Sequence, residues 1–569
     1  MTTRCLSLLD VKSTASHACH GVAPFHAPPS TPSPLNGLKL VQTMDSAHAP
    51  PPRKRPGRHA RSRRSRRAVC LVIVLALLLI ASFCAYYLHL SRDDASYITS
   101  LLSGHGSTTT IDDASVTLPT SGTNDTIQAT LQDFQDNPLG PPYKDVFGAL
   151  GERTRIVKDW LLAAEASTND EEKAHLSNAV EQAVLALFPF MRGPVKTTTP
   201  LADLRASFDA GSAGIVIATG DRTVRFCAHV IATLRSELRT SLPIQIVYAG
   251  DADLSPTNRD LLSQFVEFGP ALEFLDIETV FDVSTLAFNA PASGGGWALK
   301  AFAALGSRFE RVLLLDADVV FLQQPEALLT HPAFTRTGAL FFHDRLLWQH
   351  NSTARHAWWR AQITHPSATL NRSLAWTEDY AEEQDSGVVV LDKSRAGVVM
   401  GLLHTCWQNV YDVRMEATYK LTYGDKETWW MGLELAGVDY EFEKHYAAMV
   451  GWEETADENG RRKVCSFVIA HVDAEDRLLW YNGGLLKNKA QIFMTQEFEV
   501  PLNWMIDAEW EKEVGSLDMS CMVGGEVQNL TVGEVEILTR FIDKAKKVDL
   551  QLLAAIPRID TGEEGGGEG

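Results

Sequence analysis

The stretch Arg311-Val-Leu-Leu-Leu-Asp316-Ala317-Asp318-Val-Val-Phe-Leu constrains this chain more than any other. Val312–Leu315 has the continuous apolar character of a strand covered on both faces, and it runs directly into two carboxylates. Ionised carboxylates at the end of a buried strand are costly unless a cation or hydrogen-bond donors meet them. If extended geometry continues through the motif, the i, i+2 spacing turns both side chains the same way, and small Ala317 leaves room between them. Oxygen ligands of this kind suit Mg2+ or Mn2+, which commonly share a site with substrate phosphates. The apolar strand before Asp316 and the VVFL run after Asp318 set this copy apart from Asp251-Ala252-Asp253, which reads as a loop.

The surrounding sequence alternates strands and helices. GIVIAT (214–219) is a β-type run, Thr223–Arg239 is helical, PIQIVYAG (243–250) is a second strand, Ser255–Phe265 a polar helix, and LEFLDI (272–277) a third strand. A further helix, Trp297–Phe309, leads into the acid pair. Near-continuous apolar strands separated by helices predict parallel pairing in an α/β sheet, and ligands of such sheets sit at the carboxyl ends of the strands.

The 569 residues carry a formal charge of -19, from 52 basic and 71 acidic residues, which argues against a nucleic-acid partner. The charge is unevenly spread: residues 1–67 are +10, residues 68–90 carry no Asp, Glu, Lys or Arg, and the remainder is -29. Ala68–Leu90 is long enough to cross a bilayer, at about 1.5 Å rise per residue. The basic block before it predicts a single-pass anchor with a cytosolic N-terminus and a lumenal C-terminal portion.

The expected organisation is a disordered basic tail (1–67), a transmembrane anchor (68–90) and a flexible stem (91–145). A helical stem region (146–200), with two helices joined near Ser167–Glu171, comes next. The catalytic α/β domain (211–500), its C-terminal extension (501–556) and a disordered acidic tail (557–569) complete the chain.

Several ordered blocks resemble the fungal Golgi α-mannosyltransferases, chiefly the α-1,3-mannosyltransferase family, from about Gly211 to Lys489. They are VLLLDADVVFLQQPEALL, RTGALFFHDR (336–345), EEQDSGVVVLDKSR (382–395), YGDKETWWMGLELAG (423–437) and IAHVDAEDRLLWYNGGLLK (469–487). The resemblance implies a GT-A-like, Rossmann-type nucleotide-sugar transferase domain. It also implies a GDP-mannose donor, a mannose-terminated glycan acceptor, and retaining transfer dependent on Mn2+, with Mg2+ the alternative. It further implies that His471 completes the metal site with Asp316 and Asp318, and that Gly484 and Lys487, as Gly-x-x-Lys, reach the diphosphate.

Other candidates come from position in the pattern. Thr219 and Gly220 end the first strand, where guanine or ribose would lie. Lys300, inside the helix before the acid pair, could meet phosphate. Gly387 allows close backbone approach to a sugar or phosphate, and Arg345 is a candidate contact to acceptor or donor. Asp385, Asp425 and Glu427 are the possible catalytic carboxylates, with same-face attack and double displacement both open. An α-1,2 linkage, a glycan-binding protein without turnover and a hydrolase are the competing readings. A P-loop ATPase is excluded because G-x-x-x-x-G-K-[ST] is absent.

Cys227, Cys406, Cys465 and Cys521 permit up to two disulfides in the lumenal portion, and the lack of C-x-x-C argues against structural zinc. Asn124, Asn351, Asn371 and Asn529 head N-x-S/T sequons. They fit a secretory route, and the resemblance, whose type II anchor and stem also match, implies a Golgi location. Glycosidase digestion of the secreted-pathway form is expected to raise its gel mobility; unchanged mobility would oppose lumenal exposure of all four.

Overall fold

A computed structural model of the chain describes residues 124–290, 292–489, 497–512 and 519–555. The calls on the basic tail, the anchor, the stem before residue 124 and the acidic tail lie outside the described residues. Among the described residues, no helix is long and apolar enough to cross a membrane.

Four strands pair in parallel in the order 3-2-1-4: β1 (Asp209–Ala218), β2 (Ile244–Tyr248), β3 (Leu272–Asp276) and β4 (Phe309–Leu315). The expected parallel sheet is thus present, but only as half of a seven-stranded one. After β5 (Val319–Phe321), the chain returns through β6 (Ala339–His343) and β7 (Gln384–Asp392). β7 is antiparallel to both β4 and β6, and β8 (Glu441–Phe442) closes the edge beside β6. Because β7 runs against β4, its first residues, not its last, lie at the carboxyl end of β4. Leu315 pairs with Ile217 of β1 on one side and with Val388 of β7 on the other.

The remaining strands are β9 (Met449–Glu454), β10 (Lys463–Ser466), β11 (Ile469–Val472), β12 (Leu478–Asn482), β13 (Asn503–Met505), β14 (Glu509–Lys512), β15 (Ser520–Val523) and β16 (Gln528–Asn529). β11 and β12 join β5 in a three-stranded sheet, and the others form a six-stranded one. Strands after residue 500 pair into the six-stranded sheet, and a disulfide joins Cys465 of β10 to Cys521 of β15. Cys227 and Cys406 are buried thiols.

One face of the large sheet is covered by the helices Phe147–Ala166, Asp170–Leu187, Gly295–Gly306, Ala396–Gln408 and Thr428–Leu435. The other is covered by Val224–Ala232, by β5, β11 and β12, and by the long helix Val532–Ala555. Two expectations change here. The end of the stretch read as flexible stem is a helix, Asn124–Asp136, which buries Ile127, Leu131 and Phe134 in the main core. The region read as helical stem is a layer of that core: Phe147, Val157, Ala183 and Val184 are fully buried. The two helices do meet where expected, with the Asn169 side chain accepting from the Glu171 and Glu172 amides as an N-cap.

Two local differences reach the site. Asp385-Ser386-Gly387 lies within β7 instead of preceding it. The helix before β4 spans Gly295–Gly306, and Phe309, expected as its last residue, opens the strand. Its carboxyl end is tied to β7 by buried Lys393, whose Nζ donates to the Leu305 carbonyl (3.1 Å), the Ser307 carbonyl (2.5 Å) and Ser307 Oγ (3.2 Å). A lysine satisfies carbonyls that a helix end leaves without partners. Lys393→Met is expected to lower stability by about 1.5–3 kcal/mol, read as a reduced urea midpoint. An unchanged midpoint would show that these carbonyls find other donors.

Candidate functional site

The carboxyl edge of β4 is where charged side chains gather. β4 ends at Leu315, and Asp316–Asp318 is a turn: the Val319 amide lies 3.4 Å from the Asp316 carbonyl. Extended geometry therefore does not continue through the motif, and the two acids take different partners. Asp316 accepts from Lys300 Nζ at 2.8 Å. Asp318 is paired with Lys489.

Lys300 is the hub. From the buried face of the Gly295–Gly306 helix it also reaches Asp425 Oδ2 (3.0 Å), the Ser386 carbonyl (2.9 Å) and Ser386 Oγ (3.0 Å). Burial alone would lower its pKa, but Asp316 and Asp425 outweigh that and hold the ammonium well above its ordinary value. Asp425 also accepts from Trp429 Nε1 at 2.9 Å. The sequence placed Lys300, Asp316 and Asp425 as separate candidates, and the fold brings them into one contact set.

Asp385 forms the next layer. It accepts from the Gly387 amide (2.9 Å) and Asn482 Nδ2 (3.0 Å), and its second oxygen lies 3.1 Å from His471 Nε2. Burial raises its pKa, but the His471 hydrogen bond and charge, with Lys426 and the Gly387 amide, hold the carboxyl well below the usual range. The His471 ring stacks on Trp480, with centroids 4.2 Å apart at 28°. Gly387 is required by close packing: a Cβ there would come within 2.7 Å of Asn482 Nδ2 and 3.0 Å of Trp480. Its role is thus to let β12 approach, which differs from the donor contact expected.

Four further candidates are placed by the fold. Lys487 turns onto Glu499 (2.5 Å) and lies over the Trp452 ring, while Lys489, two residues on, meets Asp318. Gly484 is beside Asp318, with φ +82° and 3.8 Å between its built Cβ position and Asp318 Cβ. Glu427 is fully enclosed: Oε2 accepts from Trp430 Nε1 (2.5 Å) and Oε1 from the Glu383 amide (3.1 Å). That commits both oxygens to packing and removes it from the catalytic set. Arg345 is tied to Asp344 and Ser520.

Thr219 and Gly220 end β1 next to this edge. Thr219 Oγ1 pairs with Thr223 Oγ1 at 2.8 Å, and Gly220 packs against Asp253 of the loop 251–253. One buried acid was not singled out in the sequence reading. Asp344, after β6, is buried and accepts from the Arg345 amide at 2.6 Å and from Lys426, which also lies 3.4 Å from Glu382. Asp344 sits in the same kind of position as Asp316, an acid directly after an apolar strand run, and that was its available signal.

The donor chemistry for a divalent cation is divided. Asp316 and Asp318 supply hard oxygen ligands of the kind such a cation takes, and each now accepts from a lysine, Lys300 and Lys489. His471 does not join them, being held on Asp385. Among the described residues, no three His, Cys, Asp or Glu side chains converge to hold a metal ion.

A mixed sheet, parallel over β3-β2-β1-β4, with acids and lysines interleaved at the carboxyl edge of β4, is the build of an α/β domain that takes its ligand at the carboxyl ends of the strands. Residues 212–473 match the family described as "Mannosyltransferase putative". "Putative alpha-1,3-mannosyltransferase MNN15" of Candida albicans is 26% identical over 343 residues, 51% of this chain and 43% of the relative. Alpha-1,3-mannosyltransferase MNT3 of Saccharomyces cerevisiae is 29% identical over 279 residues, 43% of this chain and 42% of its own. Alpha-1,3-mannosyltransferase MNN1 of the same yeast is 25% identical over 324 residues, 48% and 40%. The chain thus spans less than half the length of these relatives. Among solved structures, the galactosyltransferase LgtC in complex with donor and acceptor sugar analogs aligns at 15% identity over 41% of this chain and 73% of its own. The TM-score of 0.27 is too low for that alignment to bear on the site.

Burial raises the Glu427 pKa from 4.5 to about 8. Across that window the folded chain keeps a proton that the unfolded chain releases. Stability therefore falls as pH rises through it, by up to about 1.4 kcal/mol per pH unit. Glu427→Gln is expected to flatten the urea midpoint between pH 5 and pH 8; an unchanged slope would assign the dependence to other groups.

Proposed function

We propose that this chain is a retaining mannosyltransferase that moves mannose from GDP-mannose to a mannose hydroxyl of a glycoprotein glycan, forming an α-1,3 linkage. The observation that carries the reading is the Lys300–Asp316–Asp425 contact set at the carboxyl edge of β4, inside the stretch that matches the mannosyltransferase family. The α-1,3 assignment draws on the names of the relatives. The Golgi location and single-pass anchor draw on Ala68–Leu90 and its basic flank. Exposure of Asn124, Asn351, Asn371 and Asn529 is compatible with that location.

In this reaction the bond from the anomeric carbon to the diphosphate oxygen breaks, and a bond to the acceptor oxygen forms. The departing group is already a strong acid's anion, so it needs positive charge more than a proton. Lys489 at Asp318 and Lys300 at Asp316 supply that charge at the turn. Asp316 and Asp318 would hold Mn2+ or Mg2+, which when bound supplies further neutralisation of the phosphates. Asp385, hydrogen-bonded three times, is suited to orienting sugar hydroxyls through its ionised oxygens. It and Asp425 are the carboxylates at this edge that either retaining route would use.

The test is transfer from GDP-mannose to mannobiose by the full chain, followed by linkage analysis of the product. Asp318→Ala is expected to lower the rate at least about 100-fold, and chelation to do the same until Mn2+ is restored. Full activity in the variant would overturn the site. An α-1,2 product would reassign the linkage, and free mannose without an elongated acceptor would favour a hydrolase. Glycan binding without turnover would leave a binding protein.

A further inference from the structure

Two of the largest exposed apolar side chains lie beside the Lys300–Asp425 contact. Trp297 is 45% exposed and Tyr423 is 62% exposed. Their rings are 5.7 Å apart, tilted by 42°. Trp297 stands one helical turn before Lys300, so both project from neighbouring positions on one side of the Gly295–Gly306 helix. Tyr423 is two residues before Asp425. The aromatic pair and the buried ion pair are thus carried by the same two segments.

The indole is exposed yet fixed. Tyr419 meets it edge-on at 6.0 Å and 72°. Gly424, at φ +62°, lies under its six-membered ring, where a Cβ would come within 2.9 Å of Cε3 and 3.0 Å of Cδ2. Gly294, at φ +64°, makes the same kind of space, since a Cβ there would come within 2.5 Å of the Tyr419 ring and 3.4 Å of Trp297. Two left-handed glycines and an edge-on tyrosine therefore hold a large apolar face in place that folding leaves substantially in water. Fixed aromatic surface exposed next to convergent polar groups is the composition of a ligand site.

We infer that Trp297, with Tyr423, is the platform on which the acceptor glycan's terminal pyranose lies. This rests on the mannosyl-transfer reading for the identity of the sugar. A pyranose has an apolar face of C–H groups and a rim of hydroxyls. The aromatic pair suits the face, and Asp425, Lys300 and Lys426 (5.7 Å from the Tyr423 ring) suit the rim. A nucleobase would also stack on an indole. The pyranose is favoured because the aromatics are carried by the segments of Lys300 and Asp425, whereas Asp318 pairs with Lys489 and packs beside Gly484.

The experiment is calorimetric titration of the full chain with α-linked mannobiose and, separately, with GDP. Trp297→Ala is expected to weaken mannobiose binding about tenfold with GDP binding unchanged, and Trp297→Phe to retain most of it. Tyr423→Ala, at a more exposed position, provides the same readout if Trp297→Ala lowers the thermal midpoint. Equal mannobiose affinity in wild type and both alanine variants, no mannobiose binding by wild type, or a loss confined to GDP would each overturn the platform. Trp297-dependent mannobiose binding without any transfer from GDP-mannose would instead overturn the transferase reading and leave the platform standing.

Discussion

The architecture of the site depends on one buried ammonium. Lys300 joins four pieces of chain that are far apart in sequence: its own helix, the turn after β4, the start of β7 and the segment before the Thr428–Leu435 helix. A buried lysine is unfavourable alone, and buried carboxylates more so. Here one cation is shared by two acids and a carbonyl, so no member can leave without exposing another's uncompensated charge. The same contact that holds the segments together therefore also concentrates charge at the edge of the sheet.

That arrangement is supported from the other end of the same helix. Lys300 reaches from the helix to Ser386 near the start of β7, while Lys393 reaches back from just after β7 to the carbonyls of Leu305 and Ser307. Two lysines, running in opposite directions, clamp the helix along the strand. The antiparallel sense of β7 makes this possible, because it sets the Asp385 end of the strand beside the acid turn and the Lys393 end beside the helix terminus. Trp297 inherits its fixed position from this clamp. A rigid helix is a better support for a stacking surface than a loop would be.

Parts of the site were open to reading from local pattern, and parts were not. The apolar run into Asp316 announced an acid at a strand end, and β4 ends where that reading placed it. Lys487 against Lys489 shows the limit: both follow Gly484 at a plausible distance, and only the path of the chain decides which ammonium meets Asp318. Glu427 shows another. Its position between Asp425 and two tryptophans looked catalytic, yet the turn into the following helix directs it inward onto Trp430. Asp344 was legible in principle but was overshadowed by the arginine next to it.

The sequence by itself determined the strands, the helices on either side of them and the acid pair, because apolar runs and their interruptions are local properties of the chain. It also carried the blocks by which residues 212–473 match a family. The tertiary structure alone decided that β7 runs against β4, that Asp316 and Asp318 face different lysines, and that His471 belongs to Asp385. Each of these depends on pairing between segments tens to more than a hundred residues apart. Strand direction and side-chain partnership across such distances are set by how whole layers pack, which no short window of sequence contains.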